Sequence, residues 1–241
     1  MARRRRLSAS WSPADLGANL KGWWDFSDFS RLYQDSGRTT LVTATGQTVA
    51  SVTDRSGNGL HLTQPTASKE PAVVTVGSLY GLSFDGADDW LYANSSVSLG
   101  DYTVVMRVKF DYANGYCWFL SATNYHYAYR PSGYTYYINR GGTPRNYDSA
   151  AAWASLGTQA NYAWVCASSS PYGQMDRNNA AQGTITASAG TSTQSMTFCL
   201  LSDNAGAYRA QATACEVLLI DRALNASELT QAHDYLTAKW V

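Results

Sequence analysis

The sequence predicts an all-β domain closed by one C-terminal helix, and three observations carry that expectation. Strand-like runs recur at short intervals from residue 79 onward, and the turns between them are rich in Gly and Asn. Charged residues make up 15% of the 241 residues, against about 25% in average soluble chains. The polar surface must therefore come from Ser, Thr, Asn, Gln and Gly, which suit strands and turns. Many short strands of this kind indicate a sandwich or a barrel. One large sandwich accommodates the length.

Taken in order, residues 1–12 are a basic arm and residues 13–241 the domain. Residues 12–20 read as a short helix. Ser12 is placed to cap it, Pro13 suits its first position, and Asp15 favours the helix dipole. Trp23-Trp24-Asp25-Phe26 follows as a first buried strand. Residues 27–75 are turn-rich, with a dense turn signal at Asp54-Arg55-Ser56-Gly57-Asn58-Gly59. A long ordered loop is expected there, with short strands near 48–53, 60–63 and 72–76. Leu82-Ser83-Phe84 then runs into a turn at 85–88, and Trp90-Leu91-Tyr92 follows.

Residues 102–110 alternate cleanly. Thr103, Val105, Arg107 and Lys109 share one face; Val104, Met106, Val108 and Phe110 share the other. Further strands fit 116–121, 125–130, 134–139, 162–169, 174–177, 183–187, 196–201, 207–211 and 214–220, with Pro131-Ser132-Gly133 as a hairpin turn. The last segment is the one clear helix. Asn225 caps it, Glu228 completes a capping box, and Leu224 and Leu229 staple the entry. Leu229, Ala232, Leu236 and Trp240 fall near one face.

The net charge is zero but uneven. Arg3, Arg4, Arg5 and Arg6 leave 14 basic residues against 18 acidic ones, a body charge of −4. A basic arm on an acidic body points to an anionic or acidic partner for the arm. No basic stripe extends beyond it, so a nucleic-acid-binding body is not expected. Nor is a secretion signal, because no apolar run of about 7–15 residues follows the arginines. No run approaches the roughly 18 apolar residues of a membrane span. Synthesis in a cytoplasm is the expectation.

Cys117, Cys166, Cys199 and Cys215 each lie in an apolar strand-like run without metal-ligand spacing. Buried thiols are one reading; a Cys199–Cys215 disulfide is the other. His61, His126 and His233 are far apart and read as packing or surface residues. No nucleophile elbow, phosphate loop or zinc motif appears. The most distinctive local feature is a tyrosine-rich stretch. Tyr125, Tyr127 and Tyr129 alternate onto one face of a strand, and Tyr134 and Tyr136 onto its hairpin partner. They form either an aromatic platform for sugar or protein, with Arg130 beside it, or cross-strand packing within the sheet.

Three segments together resemble the laminin-G/concanavalin-A-like lectin and glucanase superfamily, in the version common in tailed-bacteriophage virion proteins. They are Trp23-Trp24-Asp25-Phe26-Ser27-Asp28; the Val49–Gly59 run followed by Leu82-Ser83-Phe84-Asp85-Gly86-Ala87-Asp88-Asp89-Trp90-Leu91; and Cys215-Glu216-Val217-Leu218-Leu219-Ile220-Asp221-Arg222-Ala223-Leu224, running into Tyr235–Trp240. The resemblance implies a jelly-roll sandwich of two antiparallel sheets, with a short N-terminal helix and a C-terminal helix. It fixes function weakly, since such folds host lectins, glycanases and virion proteins alike.

Glycanases of that superfamily use paired glutamates in an ExDxE-type pattern. This chain has three Glu, at 70, 216 and 228, in no such pattern, so an enzyme is not expected; an aspartate pair remains the alternative. The superfamily often holds calcium on loops. Asp85, Asp88 and Asp89 are the candidate ligands here, against the reading that they only shape a turn. The expected function is a non-catalytic virion component, a head decoration or tail or fibre protein. Its arm Arg3–Arg6 would contact capsid or tail subunits, the chain would form a homo-oligomer, and the sandwich would face host glycans. A free lectin module is the alternative, and a glycan hydrolase the third.

Overall fold

The computed structural model describes residues 11–113, 117–122, 125–130, 135–138, 145–148, 157–188, 190–202 and 209–240. For residues 112–148, Arg145 excepted, only backbone is described. The strands are β1 (Leu20–Asp25), β2 (Leu32–Tyr33), β3 (Ser51–Val52), β4 (Leu62–Thr63), β5 (Ala72–Val76) and β6 (Leu79–Asp85). Next come β7 (Leu91–Ala93), β8 (Val97–Leu99), β9 (Tyr102–Ala113), β10 (Cys117–Ala122), β11 (Tyr125–Arg130) and β12 (Thr135–Ile138). The last are β13 (Arg145–Asp148), β14 (Ala160–Cys166), β15 (Gly173–Arg177), β16 (Ala180–Ile185), β17 (Gln194–Leu200) and β18 (Ala210–Ile220), before helix α1 (Ala226–Lys239).

They make two antiparallel sheets. The eight-stranded sheet runs β16-β15-β14-β9-β18-β6-β5, with β1 also on β18. The ten-stranded sheet runs β13-β12-β11-β10-β17-β7-β4-β3-β2, with β8 also on β17. Between them lies the main core. The alternation in β9 builds it: Val104, Met106, Val108 and Phe110 all point inward and are buried. Trp24 of β1 reaches across to stack on Phe198 of β17, ring centres 4.7 Å apart. At one side the sheets close on each other, where β13 meets β16 and Arg145 Nε donates to the Ser188 carbonyl at 3.1 Å.

A second core lies outside the eight-stranded sheet. Leu229, Ala232 and Leu236 of α1, with Trp240 just after it, pack with Val105, Ala163, Leu218 and Ile220 of the sheet, and with Leu16, Leu20 and Trp23. The outward residues of β9 serve this layer. Thr103 Oγ1 donates to the Arg222 carbonyl and accepts from Leu224 N–H, while Arg107 donates to Asn161 and to the Trp240 carbonyl. The capping box is as expected: Asn225 accepts from Glu228 N–H, and Glu228 accepts from Asn225 N–H. Arg222 adds a bidentate pair to Glu228, at 2.6 and 2.7 Å.

The structure departs from the expected elements in four places. The first helix is a 3-10 segment, Pro13–Asn19, because Gly17 takes φ +56 and interrupts any continuous α-helical turn. The expected 214–220 strand and the described end of the expected 207–211 strand are one strand, β18, with irregularities near Gln211 and between Ala214 and Glu216; residues 207 and 208 lie outside the described residues. β2, β8 and β13 are additional short strands that carry little alternation of their own. Cys199 lies in β17 of one sheet and Cys215 in β18 of the other, and no disulfide joins them.

Candidate functional site

The resembling segments turn out to be joints. Asp54 sits under β1, where its carboxylate accepts from the N–H groups of Trp23, Ser56 and Leu60 and from the Ser56 hydroxyl. Asn58 donates to the Leu20 and Lys21 carbonyls, and His61 Nδ1 accepts from Asp54 N–H. The Asp54–Gly59 loop is thus a clamp on the first strand, with its oxygens occupied by backbone donors.

The Asp85–Asp89 turn joins β6 to β7. Asp85 Oδ1 accepts from Ala87, Asp88 and Asp89 N–H, and Asp89 Oδ2 accepts from Asp85 N–H. These bonds hold the Asp85 carboxyl below the usual range despite partial burial. Gly86 at φ +77 makes the tight approach possible: a Cβ there would stand 2.8 Å from Gln211 N. Burial pushes Asp89 up to about 6, and the neighbouring carboxylates add to the rise. One oxygen from each of Asp85, Asp88 and Asp89 lies within 4.8 Å of the others. Hard oxygens of that kind fit calcium, and the carboxylates of Asp85, Asp88 and Asp89 would hold it. The turn is already closed by its own backbone bonds.

The three glutamates are all engaged. Glu70 accepts from the Thr48 hydroxyl, and Glu228 is held by Arg222 and Asn225. Glu216 is fully buried and accepts from Trp23 Nε1 (2.7 Å), Tyr235 Oη (2.8 Å), Lys239 Nζ (2.6 Å) and Trp240 Nε1 (3.1 Å). Lys239 also bonds Asp25 at 2.6 Å, and Asp25 accepts from Arg55 at 2.8 Å. This network ties the end of α1 to β1 and β18. Sequence reading missed it, because its members come from both ends of the chain. Burial raises the Tyr235 hydroxyl and pushes the Cys215 thiol up to about 12, so neither is a nucleophile at neutral pH. His233 is buried with both ring nitrogens unpartnered, and burial pushes it down to about 4.

The tyrosine-rich strands form the far side of the ten-stranded sheet. Register sets Tyr129 opposite Tyr136, and Tyr136 opposite Tyr147, in one cross-strand row. Arg130 lies opposite Thr135, in the alternate row. Thr197, Ser121 and His126 share a row. Phe198, next to Thr197, is buried between the sheets. Tyr125, Tyr127 and Tyr129 alternate along β11 with His126, Ala128 and Arg130. Tyr134 and Arg3, Arg4, Arg5 and Arg6 lie outside the described residues.

On the outer face of the eight-stranded sheet, the helix layer covers only one end. Beyond it lies a hollow of about 510 Å³, floored by Thr213 and Ser83 and flanked by Lys109 and Asp111 on one side and Val74 and Val76 on the other. Lys109 Nζ pairs with Asp111 Oδ1 at 2.9 Å. Gln159 stands at the rim and donates to Cys215 Sγ.

No protein-family model matches the sequence, and no curated protein matches it. Solved structures do match the fold. Domain 4 of a GH43 extracellular arabinanase from Geobacillus stearothermophilus, in complex with arabinotriose, superposes with TM-score 0.62 at 15% identity, over 89% of this chain and 98% of that one. Trypanosoma rangeli sialidase in complex with sialic acid gives 0.55 at 13% identity, over 94% of this chain and a third (33%) of that one. The receptor-binding domain of botulinum neurotoxin type G gives 0.58 at 9% identity, over 91% of this chain and 52% of that one. At these identities the likeness establishes the fold, a β-sandwich shared with an arabinanase domain, part of a sialidase and a neurotoxin receptor-binding domain.

Proposed function

We propose that this chain is a non-catalytic carbohydrate-binding β-sandwich module. One observation carries the reading: the chain matches almost the whole of a separate domain that was solved with an oligosaccharide bound. The carboxylates support the non-catalytic part. Hydrolysis with retention needs two carboxyl groups about 5 Å apart facing the sugar. Glu216 and Asp25 are buried and bound to Lys239, and the Asp85–Asp89 oxygens are drawn into their own turn. The full chain, screened on an array of neutral and sialylated glycans, is expected to bind saturably and to release no reducing ends. Turnover abolished by Asp85→Asn or Asp89→Asn would overturn the non-catalytic reading.

A second element of the proposal concerns where the module works. The three resembling segments and the four-arginine arm on a body of charge −4 support a place on a phage particle, as a head decoration or a tail or fibre component. The arm would anchor to an acidic surface of capsid or tail subunits, and a homo-oligomer would present several sandwiches to host glycans. The structural neighbours carry no argument for the particle. Co-sedimentation with emptied phage particles, with and without residues 1–10, tests it: arm-dependent binding is expected, and indifference to particles would leave a free lectin module.

A further inference from the structure

We propose that the hollow on the outer face of the eight-stranded sheet is the saccharide site, and that its ligand is a short neutral oligosaccharide. This rests on the carbohydrate-binding reading above and adds where and what it binds. The position follows from the sheet. Lys109, Thr213 and Ser83 lie opposite one another on β9, β18 and β6, in one cross-strand row. Along β9 the helix layer stops at Arg107, whose guanidinium reaches the Trp240 carbonyl. Lys109 and Asp111 follow it outward beyond that layer, each about a third exposed (33% and 31%).

The chemistry fits sugar hydroxyls. Each hydroxyl donates once and accepts twice. The hollow offers a donor-only ammonium, an acceptor-only carboxylate, an amide at Gln159, and the hydroxyls of Ser83 and Thr213. Val74 and Val76 supply an apolar wall for C–H faces. The volume is that of an ordinary small-ligand pocket. The charges cancel: Asp111 lies 2.9 Å from Lys109, so an anionic sugar gains no net attraction while a neutral one gains charge-assisted hydrogen bonds of both kinds.

The test compares four full-length proteins: wild type, Lys109→Ala/Asp111→Ala, Ser83→Tyr, and Tyr127→Ala/Tyr136→Ala. Each is titrated with arabinotriose, with a panel of neutral oligosaccharides and with sialyllactose, and its melting temperature is recorded. The double alanine variant removes both members of an exposed pair, and Tyr suits a strand, so both groove variants are expected to keep the fold. They should weaken neutral-glycan binding about tenfold or more, with the tyrosine variant close to wild type wherever it is folded. Unchanged binding in both groove variants would overturn the site while leaving the module a lectin. Preference for sialyllactose would overturn the ligand class. No binding to any probe would overturn the carbohydrate-binding reading itself.

Discussion

Single residues in this protein are mostly committed to joints, and Glu216 is the clearest. A carboxylate with four donors is well compensated; one with a partner removed is not. Glu216→Gln leaves Lys239 beside Asp25 alone and aims an amide N–H₂ at donors. Chemical denaturation is expected to show a loss of about 3 kcal/mol or more, with glycan binding unchanged in the folded fraction. His233 sets a pH dependence of opposite origin. Its ordinary value is 6.5 and burial lowers it to about 4. The unfolded chain therefore binds a proton that the folded chain refuses, and stability falls as pH drops from about 6.5 toward 4, by up to about 3 kcal/mol. Asp89, raised to about 6, works the other way and takes up a proton in the folded state over the same range. In His233→Leu the acid loss should vanish and the Asp89 contribution should show as a gain. Urea melts at pH 7, 5.5 and 4.5 check the difference. At the Asp85 turn, three N–H groups lose their acceptor in Asp85→Ala, at a cost of about 1–2 kcal/mol. Because the turn closes on its own backbone, chelation should leave the melting temperature of the wild type unchanged.

Elements were legible where their signal is local. The alternation in β9 and the Asn225–Glu228 capping box are properties of adjacent residues, and the structure reproduces both. Asn225→Ala is accordingly expected to cost about 1 kcal/mol of stability, and Arg222→Ala to lower the melting temperature by freeing the helix entry; calorimetry reads both. What the sequence could not carry is pairing. Cys199 and Cys215 look like neighbours in a linear reading, yet they sit in opposite sheets, because β17 and β18 are consecutive strands that cross from one sheet to the other. Strand β18 reads as two strands because its irregularities interrupt the pattern while its hydrogen bonds to β9 continue. The Asp54 loop shows the same limit. Its turn residues are evident, but that they clamp a strand about thirty residues earlier is a tertiary fact.

At the scale of the whole molecule, two cores explain the architecture. The sheets bury one, and the C-terminal helix with the first 3-10 segment buries the other on a single outer face. That second layer is shorter than the sheet beneath it, and the uncovered end is the hollow at Lys109, Asp111 and Thr213. A sandwich or barrel was legible from composition and strand spacing, and the resemblance implied the sandwich. The hollow was not, since its residues are ordinary Ser, Thr, Val, Lys and Asp drawn from four strands; only the order β9-β18-β6-β5 brings them together. The central claim is that this is a carbohydrate-binding module. Isothermal titration of the full chain with arabinotriose and a set of neutral oligosaccharides tests it most directly. Saturable binding without turnover by at least one of them is the expected result; absence of binding across neutral and sialylated glycans alike, by a protein shown to be folded, would contradict it.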